Sequence, residues 1–151
     1  MCPRRAVALC VLVVSGFALV PAAAAGGDPE ASDMMREINE VRARHGLGRL
    51  RPSDSLERSS FAFARHLMRT DRFGHAGRIH ADSRFRMLGE ALAYHSDHRL
   101  RTGLTIRGWM GSPPHRALIL SRSFRWIGAG YARGGLGGGP ATIWVLHLGR
   151  L

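Results

Sequence analysis

The run from Trp126 to Leu148, WIGAGYARGGLGGGPATIWVLHL, decides how this chain folds. Two segments rich in branched and aromatic residues, Trp126 to Tyr131 and Thr142 to Leu148, flank Gly134 to Pro140, which has the composition of a hairpin loop. The C-terminal part therefore reads as a pair of strands. Gly128 and Gly130 alternate with Ile127, Ala129 and Tyr131, which sets two glycines on one face of the first strand and predicts something bulky against that face. Trp109, Trp126 and Trp144 read as core and sheet-packing residues. His147 reads as a strand residue with one face to solvent.

Working outward, Ser32 or Asp33 caps a first helix in which Met35, Ile38, Val41 and His45 recur at helical spacing, and Gly46 closes it. Pro52-Ser53-Asp54 announces a second helix reaching about Arg69, with Asp54 and Glu57 at capping-box spacing and Leu56, Ser60, Phe63, Ala64 and Leu67 along one stripe. Thr70 to Arg86 sustains no period and reads as a loop. Long loops inside compact domains commonly carry function, and this one holds His75 and His80. Met87 to Tyr94 is compatible with a buried strand. Ser96-Asp97 would cap a third helix to Trp109 or Met110, which Ser112-Pro113-Pro114 breaks before a short turn through Leu120. The order of elements predicts an α+β fold, an antiparallel sheet covered by helices.

Residues 1–25 read as a signal peptide. Arg4 and Arg5 precede an apolar run from Ala6 to Val20, and Ala23-Ala24-Ala25 offers small residues for cleavage. The run is short for a membrane span, which takes roughly 20 apolar residues, so the expectation is a secreted or periplasmic protein with no transmembrane anchor. Cys2 and Cys10 would leave with the peptide, giving a cysteine-free mature chain and pointing to a bacterial source. Residues 26–151 suffice for one domain with one core. The oligomeric state is left open.

All 22 basic residues are arginine. Without Arg4 and Arg5, 20 arginines face 11 acids, a formal charge of +9. Such a charge favours anionic partners. The arginines are scattered singly along the chain, however, and no aromatic ladder is interleaved with them as a single-strand groove would want, which argues against nucleic-acid binding as a purpose.

Chemistry concentrates in Phe73-Gly74-His75, Gly89-Glu90 and Trp109-Met110-Gly111-Ser112-Pro113-Pro114-His115. Two neutral imidazoles and a carboxylate, His75, His115 and Glu90, make a plausible zinc or other divalent-metal ligand set with an open position. Alternatively Glu90 orients one histidine as a general base, with Ser112 as a nearby hydroxyl. A third reading is a hydrogen-bonded network that braces the loops. Ser112 lacks a glycine-flanked nucleophile elbow and reads more simply as a helix cap. His45 and His66 fall in helical patterns, and His95 and His98 read as solvated.

Ile38-Asn39-Glu40-Val41-Arg42-Ala43-Arg44-His45-Gly46-Leu47, Ala64-Arg65-His66-Leu67-Met68, Phe73-Gly74-His75, Gly89-Glu90-Ala91-Leu92-Ala93, Trp109 to Arg116 and Ile127-Gly128-Ala129-Gly130 occur in the order seen in the CAP superfamily of SCP-like extracellular domains. The chain resembles the short bacterial branch of that family. The resemblance implies an α-β-α sandwich with a three-stranded antiparallel sheet and a cleft whose family positions fall on His75, Glu90 and His115. A fourth position, glutamate in many eukaryotic members, falls on Ser112. Asparagines usual after the glutamate and after the second histidine are Ala91 and Leu118, and a glycine before that histidine is Pro114. The function implied is a secreted, non-catalytic binding module for a divalent metal, lipid, small ligand or envelope component. The alternative is a metal-assisted or acid-base hydrolase acting on peptide or cell-wall material.

Overall fold

The computed structural model describes residues 27–151; the expected leader and both cysteines lie outside them. The elements are α1 (Pro29–Arg44), β1 (Arg51–Pro52), α2 (Asp54–Arg69), β2 (Met87–His95), α3 (Thr102–Gly111), α4 (Pro113–Ile119), β3 (Trp126–Leu136) and β4 (Gly139–Arg150). They build one sheet in the order β1-β3-β4-β2. Strands β3 and β2 pair antiparallel with β4, whereas β1 runs parallel to β3 through Arg51↔Trp126 and Pro52↔Ile127. The sheet is therefore four-stranded and mixed, which corrects the expected three-stranded antiparallel sheet. A two-residue strand has no period to read, and Pro52 lacks the N–H that ladders use. Its place is held by the backbone of Arg51 and Ser53, donating to Arg125 O and Ile127 O. The buried Asn39 amide adds two bonds, accepting from Leu50 N–H and donating to Leu50 O.

The hairpin forms where the glycines predict it. Gly137 and Gly138 both have positive φ, 61° and 78°, as a two-residue type I′ turn requires. From this turn β4 runs between two neighbours, and Ala141 to Gly149 are buried without a break. Its side chains alternate between two cores. Trp144, Leu146 and Leu148 join Ile38 of α1, Ile106 and Trp109 of α3 and Ile119 of α4, while Ile143 and Val145 join Ala64 and Leu67 of α2. Helices thus cover both faces of the sheet.

Gly128 and Gly130 explain how close α2 sits. A Cβ on Gly128 would lie 2.2 Å from Glu57 N and one on Gly130 2.4 Å from Phe61 N, so the bulk expected against this face is helix backbone. Ser60 Oγ, within 3.1 Å of Gly128 O, adds a polar tie across the contact.

Helix boundaries follow their caps. Helix α1 starts ahead of Ser32 and Asp33 because Asp28 accepts from Ala31 N–H and Pro29 occupies the first turn. Ser53, rather than Asp54, caps α2. Helix α3 begins at Thr102, not after Asp97, with Arg101 left-handed at φ 43°. Asp97 instead binds Arg99 N–H and the Arg101 guanidinium and holds the turn.

Candidate functional site

Strand β2 is a sheet edge, and Glu90 lies on it directly opposite His147 of β4. Opposed residues share a face, and both turn toward the α2 side of the sheet, as Val145 does. The carboxylate is 6% exposed and the imidazole 1%. Glu90 Oε2 accepts from His147 Nε2 at 3.0 Å; Oε1 accepts from His75 Nδ1 at 2.8 Å and Ala76 N at 2.9 Å. Burial alone would push the Glu90 carboxyl up, but the hydrogen bonds from His147, the Ala76 amide and His75 outweigh it and hold the group below its ordinary value. An ionised carboxylate only accepts, so each imidazole nitrogen facing it carries the proton.

His75 comes from the loop between α2 and β2, expected as a loop and found as one. That loop is fastened along its length. Asp71 accepts from Gly137 N–H of the hairpin turn, Ala76 N–H is on Glu90, Asp82 N–H is on Ser55 Oγ, and Arg86 N–H is on Arg150 O. His75 itself is 63% exposed. With Nδ1 committed to Glu90, its Nε2 lone pair is free to bind. His115 reaches the same place from α4, its ring centroid 6.4 Å from that of His75. Burial first, and the neighbouring His75 second, lower the His115 pKa and favour the neutral ring.

The fold thus gathers the three residues that the sequence singles out, His75, Glu90 and His115. Ser112 is in sequence reach, at the N-cap position of α4, yet its hydroxyl makes no capping bond; its carbonyl accepts from Arg116 N–H. Among the described residues no group of three His, Cys, Asp or Glu side chains is arranged to hold a metal ion together. Both oxygens of Glu90 are already engaged. As they stand, the two imidazoles lie side by side and the carboxylate orients the ring of His75.

His147 is the residue that sequence reasoning misses. Far from facing solvent, it is fully buried and its Nδ1 has no hydrogen-bond partner. It floors a cavity of about 440 Å³ between α2 and the 76–80 stretch, walled by Phe63 and Ile79 and edged by Arg69, Arg78 and His80. The signal that could have found it is register, because a carboxylate on an edge strand must face something on its antiparallel neighbour. His95 also departs from expectation. It is half-buried and lies 2.7 Å from Thr105 Oγ1, and burial lowers its pKa.

The family described as CAP, the cysteine-rich secretory protein family, matches residues 35–148. No protein of curated function gives a significant match. Among solved structures, an outer surface protein from Borrelia burgdorferi is similar with a TM-score of 0.64 and 21% identity over 79% of this chain and 90% of that one. An extracellular protein containing an SCP domain from Bacillus anthracis gives 0.63 and 17% over 81% of this chain and 40% of that longer one. The venom allergen-like protein 4 of Schistosoma mansoni gives 0.59 and 10% over 83% and 92%. At these identities the structures speak to the fold alone. With the family match spanning the helices, the sheet and all four residues of the histidine–glutamate cluster, the chain belongs to the CAP family.

Proposed function

We propose that this chain is an exported, non-catalytic binding module that takes a divalent cation or a small ligand at His75 and His115. The observation that carries the reading is the engagement of both Glu90 oxygens by N–H donors. With three N–H groups on two oxygens, the carboxylate fixes the tautomer and orientation of His75 and directs its Nε2 outward, the relation carboxylates commonly hold to metal-binding histidines. His115, kept neutral by burial and by His75, supplies the second lone pair. A divalent cation held there would polarise a ligand oxygen or a bound water. Glu90 is spent on orientation, and the Ser112 hydroxyl is hydrogen-bonded to neither imidazole, so the arrangement favours binding over nucleophilic chemistry. Export is supported by the sequence of residues 1–25 and by the extracellular and outer-surface character of the two bacterial proteins of like fold. No described helix is long and apolar enough to cross a membrane.

Thermal denaturation with and without zinc tests this. Zinc should raise the melting temperature of the wild type and leave His75→Ala and His115→Ala unmoved. An equal rise in all three proteins rejects the cation site.

A further inference from the structure

The arginines that are scattered along the sequence are not scattered in the fold. Five of them, Arg42, Arg49, Arg51, Arg122 and Arg125, line one cavity of about 550 Å³ together with Phe124 and Trp126. It lies between the connection from α1 to β1 and the connection from α4 to β3, at the far edge of the sheet from Glu90. No acidic side chain lines it. None of the five forms a salt bridge among the described residues.

Arg42 is the deepest of them, 2% exposed. Its Nε donates to Gly48 O at 3.0 Å, and its Nη1 to Ile119 O at 2.6 Å and Ser121 O at 2.9 Å. Carbonyl dipoles satisfy these N–H groups, yet three neutral acceptors leave the positive charge uncancelled. Its Nη2 has no partner among the described residues. Burial first, with smaller contributions from Arg125 and Arg122, depresses the Arg42 pKa. Arg49, Arg51, Arg122 and Arg125 are exposed around it, and the Arg51 guanidinium stands 5.9 Å from the centroid of the Trp126 ring.

Like charges gathered around a concavity, over a buried cation, repel one another until an anion enters. Guanidinium groups match the oxygens of a tetrahedral oxyanion with paired donors, and the space exceeds what one such ion fills. We propose that this cavity is a binding site for the terminal phosphate or diphosphate group of a larger molecule, part of which packs on Trp126.

Calorimetric titration of the full chain with inorganic pyrophosphate tests it. The comparison is between Arg49→Gln/Arg51→Gln/Arg122→Gln, which leaves Arg42 and its carbonyl bonds intact, and Arg65→Gln/Arg69→Gln/Arg78→Gln, which removes the same charge elsewhere. Loss of three charge-assisted contacts should weaken binding by at least about tenfold in the first variant, and by less than about twofold in the second. Equal weakening in both variants would reduce the effect to net charge and overturn the site, as would failure of the wild type to bind pyrophosphate. Two further arms separate the sources of the phosphate. Binding of glycerol 3-phosphate that the first variant loses supports a soluble phosphoester. Retention on phosphatidic acid vesicles, again lost only in the first variant and without glycerol phosphate binding, supports a lipid headgroup.

Discussion

Glu90 and Arg42 are both deeply buried charged groups, and the fold treats them oppositely. Glu90 is met by three hydrogen-bond donors from two parts of the chain, two of them imidazoles, and one of those reaches solvent. Arg42 is met by backbone carbonyls alone. The first arrangement couples a buried charge to a titratable, exposed group and makes it adjustable. The second ties the carbonyls of Gly48, Ile119 and Ser121 together while leaving the charge itself without a carboxylate. Hydrogen-bond satisfaction and charge compensation are separate requirements, and this protein separates them at opposite edges of one sheet.

The contrast breaks hardest at Arg42. Arg42→Met keeps a long apolar side chain but strands the carbonyls of Gly48, Ile119 and Ser121, and should cost about 3 kcal/mol or more, read as the shift in urea midpoint. A cost under about 1 kcal/mol would mean that water replaces the guanidinium freely and that Arg42 is not structurally buried.

Glu90→Gln should cost less, about 1–3 kcal/mol. The amide keeps an acceptor for His75 and Ala76 but turns an N–H₂ toward His147 Nε2, forcing that imidazole to the other tautomer and leaving its Nδ1–H buried without an acceptor. The pH dependence has a definite sign. Because the folded carboxyl sits below its ordinary value of 4.5, the stability it lends is full above that value. It drains away as pH falls through the lower folded value. The gap between wild type and Glu90→Gln should therefore narrow in acid and hold constant near neutrality.

Smallest is His75→Ala, which removes a largely exposed partner and should change stability by under about 1 kcal/mol. Its sharper effect is on His115. Burial is the larger cause of that residue's lowered pKa and His75 the smaller, so NMR titration should place the His115 midpoint below 6.5 in wild type and somewhat higher, still below 6.5, in the variant. A midpoint unmoved by the substitution would dissolve the pairing of the two rings.

Much of this is legible in the amino-acid sequence. Apolar spacing at Ile38 and Val41, the cap region at Ser53, and the glycine turn before Pro140 place α1, α2 and the hairpin, because each is local chemistry. What escapes is nonlocal or carried by an unusual residue. Arg101 takes a left-handed backbone that glycine would normally signal, so the pattern starts α3 too early. Strand β1 exists only through partners at Arg125 and Ile127. His147 sits in a strand buried on both faces, where period-two alternation gives no clue to what faces water. The arginine cavity is the same lesson in another form: its members are unremarkable along the chain, and only the approach of two connections makes them a charge cluster.

The fastening of the loop that carries His75 bears on how much of the chain must close to set one imidazole. Glu90 and His147 are 57 residues apart in the chain, and the loop's anchors at Gly137 and Arg150 likewise lie far downstream of it. Each of these ties needs the hairpin or β4 in place, so each closes a longer span of chain, at greater entropic cost, than the loop's local ties to Ser55 and Glu90. His75 itself is held by a local tie, 15 residues from Glu90, while the setting of that carboxylate is completed by His147 from 57 residues away. The imidazole pair therefore rests on one short and one long closure of the chain at once.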